Sequence, residues 1–296
     1  MIGPGFDGLL VIDKPMGLTS RDVVNRVQRW FPLRTRVGHT GTLDPLATGV
    51  LVLCIGVATR LTEYVQRMPK VYRAGITFGA SSDTDDAAGQ ITPTLDAKMP
   101  TREVVMQALT TFLGTSEQVP PAFSAANVAG RRAYDLARKG IEVSLAPRSV
   151  TIHAIDVMTF AYPHLEVIVH CGKGTYIRSL ARDLGKQLGC GGYITSLRRL
   201  QVGCFDEAAA IGLNTNAVAA RQRLLPMSHA VSALPRITLE ETMASRLLHG
   251  QRFPAPTSVV SAEVAIFDDA GRLLAVAEVT EGLLHAKKVL VSARPR

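Results

Sequence analysis

No stretch of the 296 residues stays apolar for the roughly 18 to 20 positions that a membrane-spanning helix needs. Met1-Ile2-Gly3-Pro4-Gly5 also lacks the basic region ahead of an apolar core that marks a secretory leader, so no membrane association is expected and the cytoplasm is the expected location. Cysteine is scarce. Cys54, Cys171, Cys190 and Cys204 contain no Cys-x-x-Cys pair, which indicates neither zinc nor a disulfide framework. The seven histidines include no His-x-x-x-His pair, which argues against a metal enzyme. Nucleotide-cofactor motifs fail on inspection: Val167 stands where a phosphate loop ending in Gly172-Lys173-Gly174-Thr175 needs its first glycine, and Ile177 spoils a dinucleotide fingerprint. Asp83-Thr84-Asp85-Asp86 opens like a calcium loop, yet Thr94 occupies the position that requires a bidentate glutamate.

What is present is a folded composition, 47% hydrophobic and 20% charged, with a net charge of +8 and a pI near 9.6. The placement of charge says more than its total. Arg21 to Arg73 holds nine Lys or Arg against three acids, Lys173 to Arg199 six against one, and Ser81 to Asp96 four acids and no base. Two basic stretches of this kind suit a surface that follows phosphates, which makes nucleic acid the anionic partner to test for.

The length suits two domains. Gly8 to Ile12 reads as a buried strand, and Thr19 with Asp22 as a capping box opening a helix that Pro32 ends. Val50 to Ile55 is a second buried strand, Thr59 to Arg67 a short helix, and Val71 to Gly79 a longer strand. Val104, Val105, Ala108, Leu109, Phe112 and Leu113 predict an amphipathic helix, and Arg131 to Lys139 a short helix in an excursion from the main sheet. Ser149 to Phe160 and Leu165 to Cys171 form a hairpin through Tyr162-Pro163-His164. Ile177, Leu180, Ala181, Leu184 and Leu188 mark a helix with Arg178, Arg182 and Lys186 on another stripe, and Tyr193 to Val202 a further strand. Strands and helices mix without a regular βα repeat, so the fold class is α+β with a mostly antiparallel sheet. Past Ser232-Ala233-Leu234-Pro235 the pattern becomes a small β-rich unit: a helix near Glu240 to Leu248, then strands at Val264 to Phe267, Leu273 to Val279 and Val289 to Val291. The expected division is 1–233 and 234–296.

Between the helix that Pro32 ends and the strand that begins at Val50 lies Arg36-Val37-Gly38-His39-Thr40-Gly41-Thr42-Leu43-Asp44-Pro45-Leu46-Ala47-Thr48-Gly49-Val50. It holds one carboxylate, Asp44, in a turn beside a buried strand, a plausible reaction centre as well as an ordinary Asp-Pro turn.

Taken with Asp13-Lys14-Pro15, Lys70-Val71-Tyr72-Arg73, Gly172-Lys173-Gly174-Thr175-Tyr176-Ile177-Arg178 and Leu197-Arg198-Arg199-Leu200, this stretch resembles the bacterial tRNA pseudouridine synthase B family over nearly the whole chain. The resemblance implies isomerisation of uridine 55 in the T arm of tRNA, a pseudouridine synthase fold, a C-terminal PUA domain that binds RNA, and a monomer that needs no protein partner, no cofactor and no metal. It makes Asp44 the catalytic aspartate, acting as nucleophile or as the base that removes a sugar proton. Arg178 becomes its counter-charge, holding the carboxylate and keeping its pKa low, although by pattern alone Arg178 is an exposed helix arginine. Tyr72 becomes the ring under the target base, its hydroxyl placed to assist proton removal from C5. Tyr176 and Leu197 would line the uracil pocket, and His39 would fill the space left by, or contact, a flipped nucleotide. Lys14, Lys173, Arg198 and Arg199 would be structural or phosphate contacts. An insertion at about 116–148 would clamp the T loop through Arg131 and Arg132; Asn127 departs from the lysine expected there, at the cost of one phosphate contact. Two other readings stand beside this one: an RNA-binding or folding-assisting protein, and a synthase guided by an RNA inside a complex. The trio Asp44, Tyr72 and Arg178 separates the first from catalysis, since binding alone needs none of it.

Overall fold

Apolar residues on both sides of Leu9–Ile12 and of Val50–Ile55 require strands that are covered on both faces. The computed structural model describes residues 6–124, 127–128, 131–132, 145–256 and 261–291, with the backbone alone at 127–128 and 131–132. It places those two strands side by side at one end of a large sheet. In chain order the elements are β1 (Gly8–Lys14), α1 (Ser20–Gln28), β2 (Val37–His39), β3 (Thr48–Ile55), α2 (Thr62–Arg67), β4 (Lys70–Phe78), β5 (Ala80–Ser82), β6 (Ile91–Pro93), α3 (Arg102–Thr110) and β7 (Gly114–Gln118). They continue with β8 (Asn127–Val128), β9 (Arg131–Arg132), β10 (Arg148–Ala161), β11 (His164–Cys171), α4 (Ile177–Gln187), β12 (Gly192–Val202), β13 (Phe205–Asp206) and α5 (Ala217–Gln222).

The main sheet runs β1-β3-β12-β4-β11-β10-β7, with β2 on β3 and β13 on β12 at its sides. Its pairings are antiparallel except that β12 runs parallel to β3. The alternation of side chains divides the strands between two cores. Leu10, Ile12, Leu51, Leu53 and Ile55 point into one, with Val23, Val24 and Val27 of α1, Val105, Ala108 and Leu109 of α3, and Leu180, Ala181 and Leu184 of α4. Leu9, Val11, Val50, Val52 and Cys54 point into the other, with Leu61, Tyr64 and Val65. The Thr19–Asp22 capping box at α1 is as the sequence predicts.

The second core is completed from the end of the chain. After α5 come β14 (Arg236–Thr238), α6 (Glu241–Leu248), β15 (Phe253–Pro254), β16 (Glu263–Phe267), β17 (Leu273–Thr280) and β18 (Leu283–Val289), forming a five-stranded sheet in the order β14-β16-β17-β18-β15. Ala265, Phe267, Leu273, Val276 and Leu290 enter the same core as Leu61 and Val65, so this unit completes the core on the side of the main sheet away from α1, α3 and α4, packing against α2. The α+β class with a β-rich C-terminal unit is what the sequence implies.

Three expectations change. The helix at 102–110 buries only Val105, Ala108 and Leu109, while Val104 and Leu113 are almost half exposed, because the helix ends before Leu113 and packs by one narrow stripe. The helix expected from Arg131 starts instead as strand, β9 pairing with β8; the side chains of Asn127, Arg131 and Arg132 and the rest of that excursion up to 144 lie outside the described residues. The last strand runs over Leu283–Val289 rather than Val289–Val291. The turn Glu281-Gly282, both at positive φ, closes the β17–β18 hairpin earlier than the apolar Val289-Leu290-Val291 run suggests.

Candidate active site

Asp44 sits in a loop that is tied down on every side. Thr40 donates its N–H and hydroxyl to the Val52 carbonyl at 3.0 and 3.1 Å, and Ser20 at the start of α1 exchanges hydrogen bonds with the backbone of Leu43 at 2.8 and 3.1 Å. Ala47 N–H closes a turn on the Asp44 carbonyl, and Gly17 N–H reaches the carbonyl of Pro45. Arg199, 2% exposed, donates from Nε to the Val50 carbonyl at 2.7 Å and from Nη2 to the Gly41 carbonyl at 3.1 Å, bracketing the loop from beneath. Gly49 lets β3 approach it: a Cβ there would stand 2.2 Å from the Arg199 carbonyl oxygen, and its φ of 96° is one that glycine tolerates.

Arg178 comes from the first turn of α4, whose N-cap is Tyr176. A cation at that end of a helix opposes the macrodipole, and the first turn contains no acid of its own. The compensation comes from elsewhere in the chain. Arg178 Nε lies 3.0 Å from Asp44 Oδ2, Nη1 lies 3.4 Å from Asp86 Oδ2 and donates to the Thr84 carbonyl at 2.8 Å, and Nη2 donates to the Phe123 carbonyl at 2.8 Å. Only 5% of its side chain is exposed. The pairing with Asp44 thus replaces the exposed helix arginine that pattern alone suggests. It does not keep the Asp44 pKa low. Burial pushes the Asp44 carboxyl above the usual carboxylate range, Arg178 and Lys14 pull against that shift, and the like charge of Asp86 adds to it.

These groups face a cleft of about 480 Å³. Asp44 is the one carboxylate among the described residues lining it, with Tyr72, Tyr176, Arg178, Leu197, Lys173 and Arg199 from the sequence-based set. Tyr72 lies on β4, in register with Arg199 of β12 on one side and Val169 of β11 on the other. It is 9% exposed, and burial raises its phenol pKa, against a smaller opposing effect of Arg199. Tyr176 is fixed through its backbone, its N–H donating to Gln118 Oε1 at 2.8 Å and its carbonyl accepting from Nε2 at 3.1 Å, while the Arg148 guanidinium sits 5.5 Å from its ring centroid.

Three of the expected residues lie elsewhere. Lys14 is fully buried and spends its ammonium on the carbonyls of Pro15 and Leu18, at 2.9 and 2.7 Å; burial lowers its pKa to about 8 although Asp44 opposes the shift. A phosphate cannot reach it, and it braces the turn after β1, while Arg199, buried in the cleft lining, holds the Asp44 loop. Arg198 pairs with Asp13 at 3.0 Å and with Glu207. His39 is outside the cleft lining, with Nδ1 enclosed and unpaired, and burial followed by Arg21 and Arg199 lowers its pKa.

Reading the sequence missed Asp86, Arg148, Lys70 and Gln118. Asp86 stood in the acidic run dismissed as a calcium loop; those acids answer arginines instead, Asp86 to Arg178 and Asp85 to Arg182 at 2.9 Å. Lys70 lines the cleft beside Tyr72, donates to the carbonyls of Gln66 and Met68, and is lowered by burial to about 8.

The sheet with this cleft defines a pseudouridine synthase fold. The chain superimposes on a chain of the Cbf5-Nop10-Gar1 complex with a TM-score of 0.76 at 23% identity, covering 97% of this chain and 85% of that one. It likewise matches a chain of an H/ACA ribonucleoprotein bound to a substrate RNA containing 2′-deoxyuridine, with a TM-score of 0.75, 22% identity, and coverage of 97% and 86%. The model of the TruB family pseudouridylate synthase N-terminal domain matches residues 29–177, that of the tRNA pseudouridylate synthase B C-terminal domain 178–232, and that of the pseudouridine synthase II TruB C-terminal segment 235–290. The tRNA pseudouridine synthase B of Dehalococcoides mccartyi strain CBDB1 is 40% identical over 297 residues, covering 98% of this chain and 99% of the relative; that of Symbiobacterium thermophilum is 47% identical over 247 residues, 82% of each. The chain belongs to the TruB family of pseudouridylate synthases and is an isomerase.

Proposed function

We propose that the protein converts uridine 55 in the T arm of tRNA to pseudouridine, with Asp44 as the acting carboxylate. The observation that carries this reading is that Asp44 alone, among the described residues lining the cleft, supplies a carboxylate, and that a buried guanidinium faces it at 3.0 Å. A cleft of about 480 Å³ falls within the range that takes a small molecule, and so suits one nucleotide lifted from its stack. The reaction breaks the bond from ribose C1′ to N1 and forms one from C1′ to C5. The proton that leaves C5 is balanced by one taken up at N1, so no redox partner or energy donor enters the balance.

Each residue has a task in that sequence. Asp44, ionised, attacks C1′ or removes a sugar proton, and either step begins from the carboxylate that Arg178 faces. Tyr72 gives the uracil an aromatic floor; burial keeps its phenol protonated, so it serves C5 deprotonation as a hydrogen-bonding group rather than as a phenolate base. Tyr176 and Leu197 wall the base, and His39 enters the space the nucleotide leaves. Lys173, exposed at the cleft, and Arg148 beside Tyr176 approach the flanking phosphates. Arg131 and Arg132 contact the T loop, and Arg198 stays with its two carboxylates. Residues 1–233 carry the chemistry and 234–296 act as a PUA-like RNA-binding unit. The protein works as a monomer in the cytoplasm without a guide RNA.

Incubating the purified protein alone with unmodified tRNA and mapping pseudouridine tests substrate, position and independence together. Modification at position 55 is expected; modification at another position, or only after a guide RNA or protein is added, overturns the reading.

A further inference from the structure

Arg178 has a twin. One helical turn along α4, on the same face, Arg182 repeats its contacts with the same two loops. Arg178 reaches the turn at 83–86 through the Thr84 carbonyl and Asp86, and the segment after β7 through the Phe123 carbonyl. Arg182 reaches that turn through Asp85, Nη1 to Oδ2 at 2.9 Å, and that segment through the Val119 carbonyl, Nη2 to O at 2.8 Å, with Ser179 Oγ on the same carbonyl at 2.9 Å. Only Arg178 goes on to the carboxylate in the cleft.

Asp85 is an unusual residue to bury. It is 8% exposed, its backbone is left-handed at a φ of 60°, and Asp183 adds a like charge nearby. A non-glycine residue in that conformation, carrying an acid away from water, is held there by its surroundings. Its backbone is locked to β12, with Ile194 N–H on the Asp85 carbonyl and Ala87 N–H on the Ile194 carbonyl, while its own N–H closes on Ser82. What the carboxylate adds to that backbone frame is one charged contact to Arg182.

We infer that the Asp85–Arg182 pair positions the active site: it fixes the 83–86 turn and the 119–123 segment against α4, so that Thr84, Asp86 and Phe123 hold the Arg178 guanidinium beside Asp44. Neither residue lines the cleft, so neither is a catalytic residue. Without the pair, Arg178 has the same partners, but the 83–86 turn keeps only its backbone bonds to β12 beside them and the 119–123 segment only Ser179 Oγ on the Val119 carbonyl. A shift of about 1 Å in a group that orients a reacting carboxylate costs up to roughly a hundredfold in rate.

This inference rests on Asp44 being the acting group, and Asp44→Asn is run in parallel to separate the two. In the full-length protein, Asp85→Asn keeps the side chain's shape, Arg182→Gln removes the charge, and Arg182→Lys returns the charge without the fork. For Asp85→Asn and Arg182→Gln, turnover at saturating tRNA is expected to fall about tenfold with tRNA affinity within about twofold, Arg182→Lys lying between them and the parent. The double variant Asp85→Asn/Arg182→Gln is expected to be no slower than the slower single one. The acid limb of the single-turnover rate moves to higher pH, because Arg178, of the charged groups facing Asp44 among the described residues (Arg178, Lys14 and Asp86), loses hold. Unchanged turnover and an unchanged acid limb in Asp85→Asn overturn the proposal. So does a loss confined to thermal stability and affinity, with turnover intact at saturation. Retained turnover in Asp44→Asn sinks the underlying reading instead.

Discussion

Asp44 and Glu263 are both carboxylates met by an arginine, at 3.0 and 2.7 Å, yet their acidities move in opposite directions. At Glu263, where β16 meets α2, burial is outweighed by Lys287 at 2.9 Å, Arg67, and the Tyr64 hydroxyl at 3.0 Å, and the carboxyl falls to about 2. At Asp44 the arginine is divided among two carboxylates and two carbonyls, and burial wins. A carboxylate surrounded by its own donors is a fastener; one with a single shared cation in a cleft is left reactive and is a liability to the fold. The same side-chain chemistry therefore does two different jobs, decided by how many donors each carboxylate has to itself.

The largest effect that sharpens this contrast is Asp44→Asn. Pseudouridine formation is expected to fall by roughly 10²–10⁴-fold or more, as for removal of an essential acid–base or nucleophilic group, while the melting temperature holds or rises. The sign follows from the raised pKa. Between the ordinary value of 3.8 and the raised one the folded chain binds the proton more tightly than the unfolded chain, so stability declines as pH rises through that window. Above the raised value the ionised carboxylate carries the full penalty, and an amide removes it. Activity runs the other way: in the parent protein the single-turnover rate is expected to drop, as pH falls, at a value above the usual carboxylate range. An acid limb at or below pH 3.8 contradicts the burial of Asp44.

A smaller but still large effect concerns the seam beside Glu263. Deleting residues 235–296 opens the core around Leu61, Tyr64 and Val65, because Ala265, Phe267, Leu273, Val276 and Leu290 complete it. Each large side chain brought back to water costs about 1.5–3 kcal/mol. The truncated chain is expected to melt well below the parent or to aggregate, whatever it does to RNA. A soluble fragment with the parent melting temperature would show that the two units merely touch.

Runs and periodicity made the frame of the fold legible, since β1 and β3 are continuous apolar runs and β4, α1 and α4 each carry an unbroken pattern of 2 or 3.6 residues. The short strands β14 and β15 carry too few residues to show one, and β18 hides its pattern behind Lys287, which faces Glu278 of β17 and Glu263 of β16, and Lys288, which faces Glu63 of α2. Asp44, Tyr72 and Arg178 were legible only by resemblance. Nothing local distinguishes Arg178 from Arg182 or Lys186, and its burial depends on Thr84, Asp86 and Phe123, which lie between 55 and 94 residues away. One physical signal was available: a lone cation in the first turn of a helix, with no acid near it in sequence, needs an acid from elsewhere, and the unclaimed acids at 83–86 were the candidates.

The smallest effect tests the fastener. Glu263→Gln leaves Arg67, Lys287 and Tyr64 in place but removes the charge they share. Because Arg67 is 45% exposed and Lys287 33%, solvent screens the cluster, and a loss of about 1 kcal/mol at neutral pH is expected, without change in turnover. The depressed pKa fixes the pH window: the contribution is complete above the ordinary value of 4.5 and disappears as pH falls toward about 2. Parent and variant should therefore differ in denaturant midpoint at pH 7 and converge on acidification, whereas the gain from Asp44→Asn grows as pH rises. If Glu263→Gln instead lowered turnover while leaving the midpoint alone, Glu263 would have to act on the cleft, and the division between a fastening and a reacting carboxylate would fail.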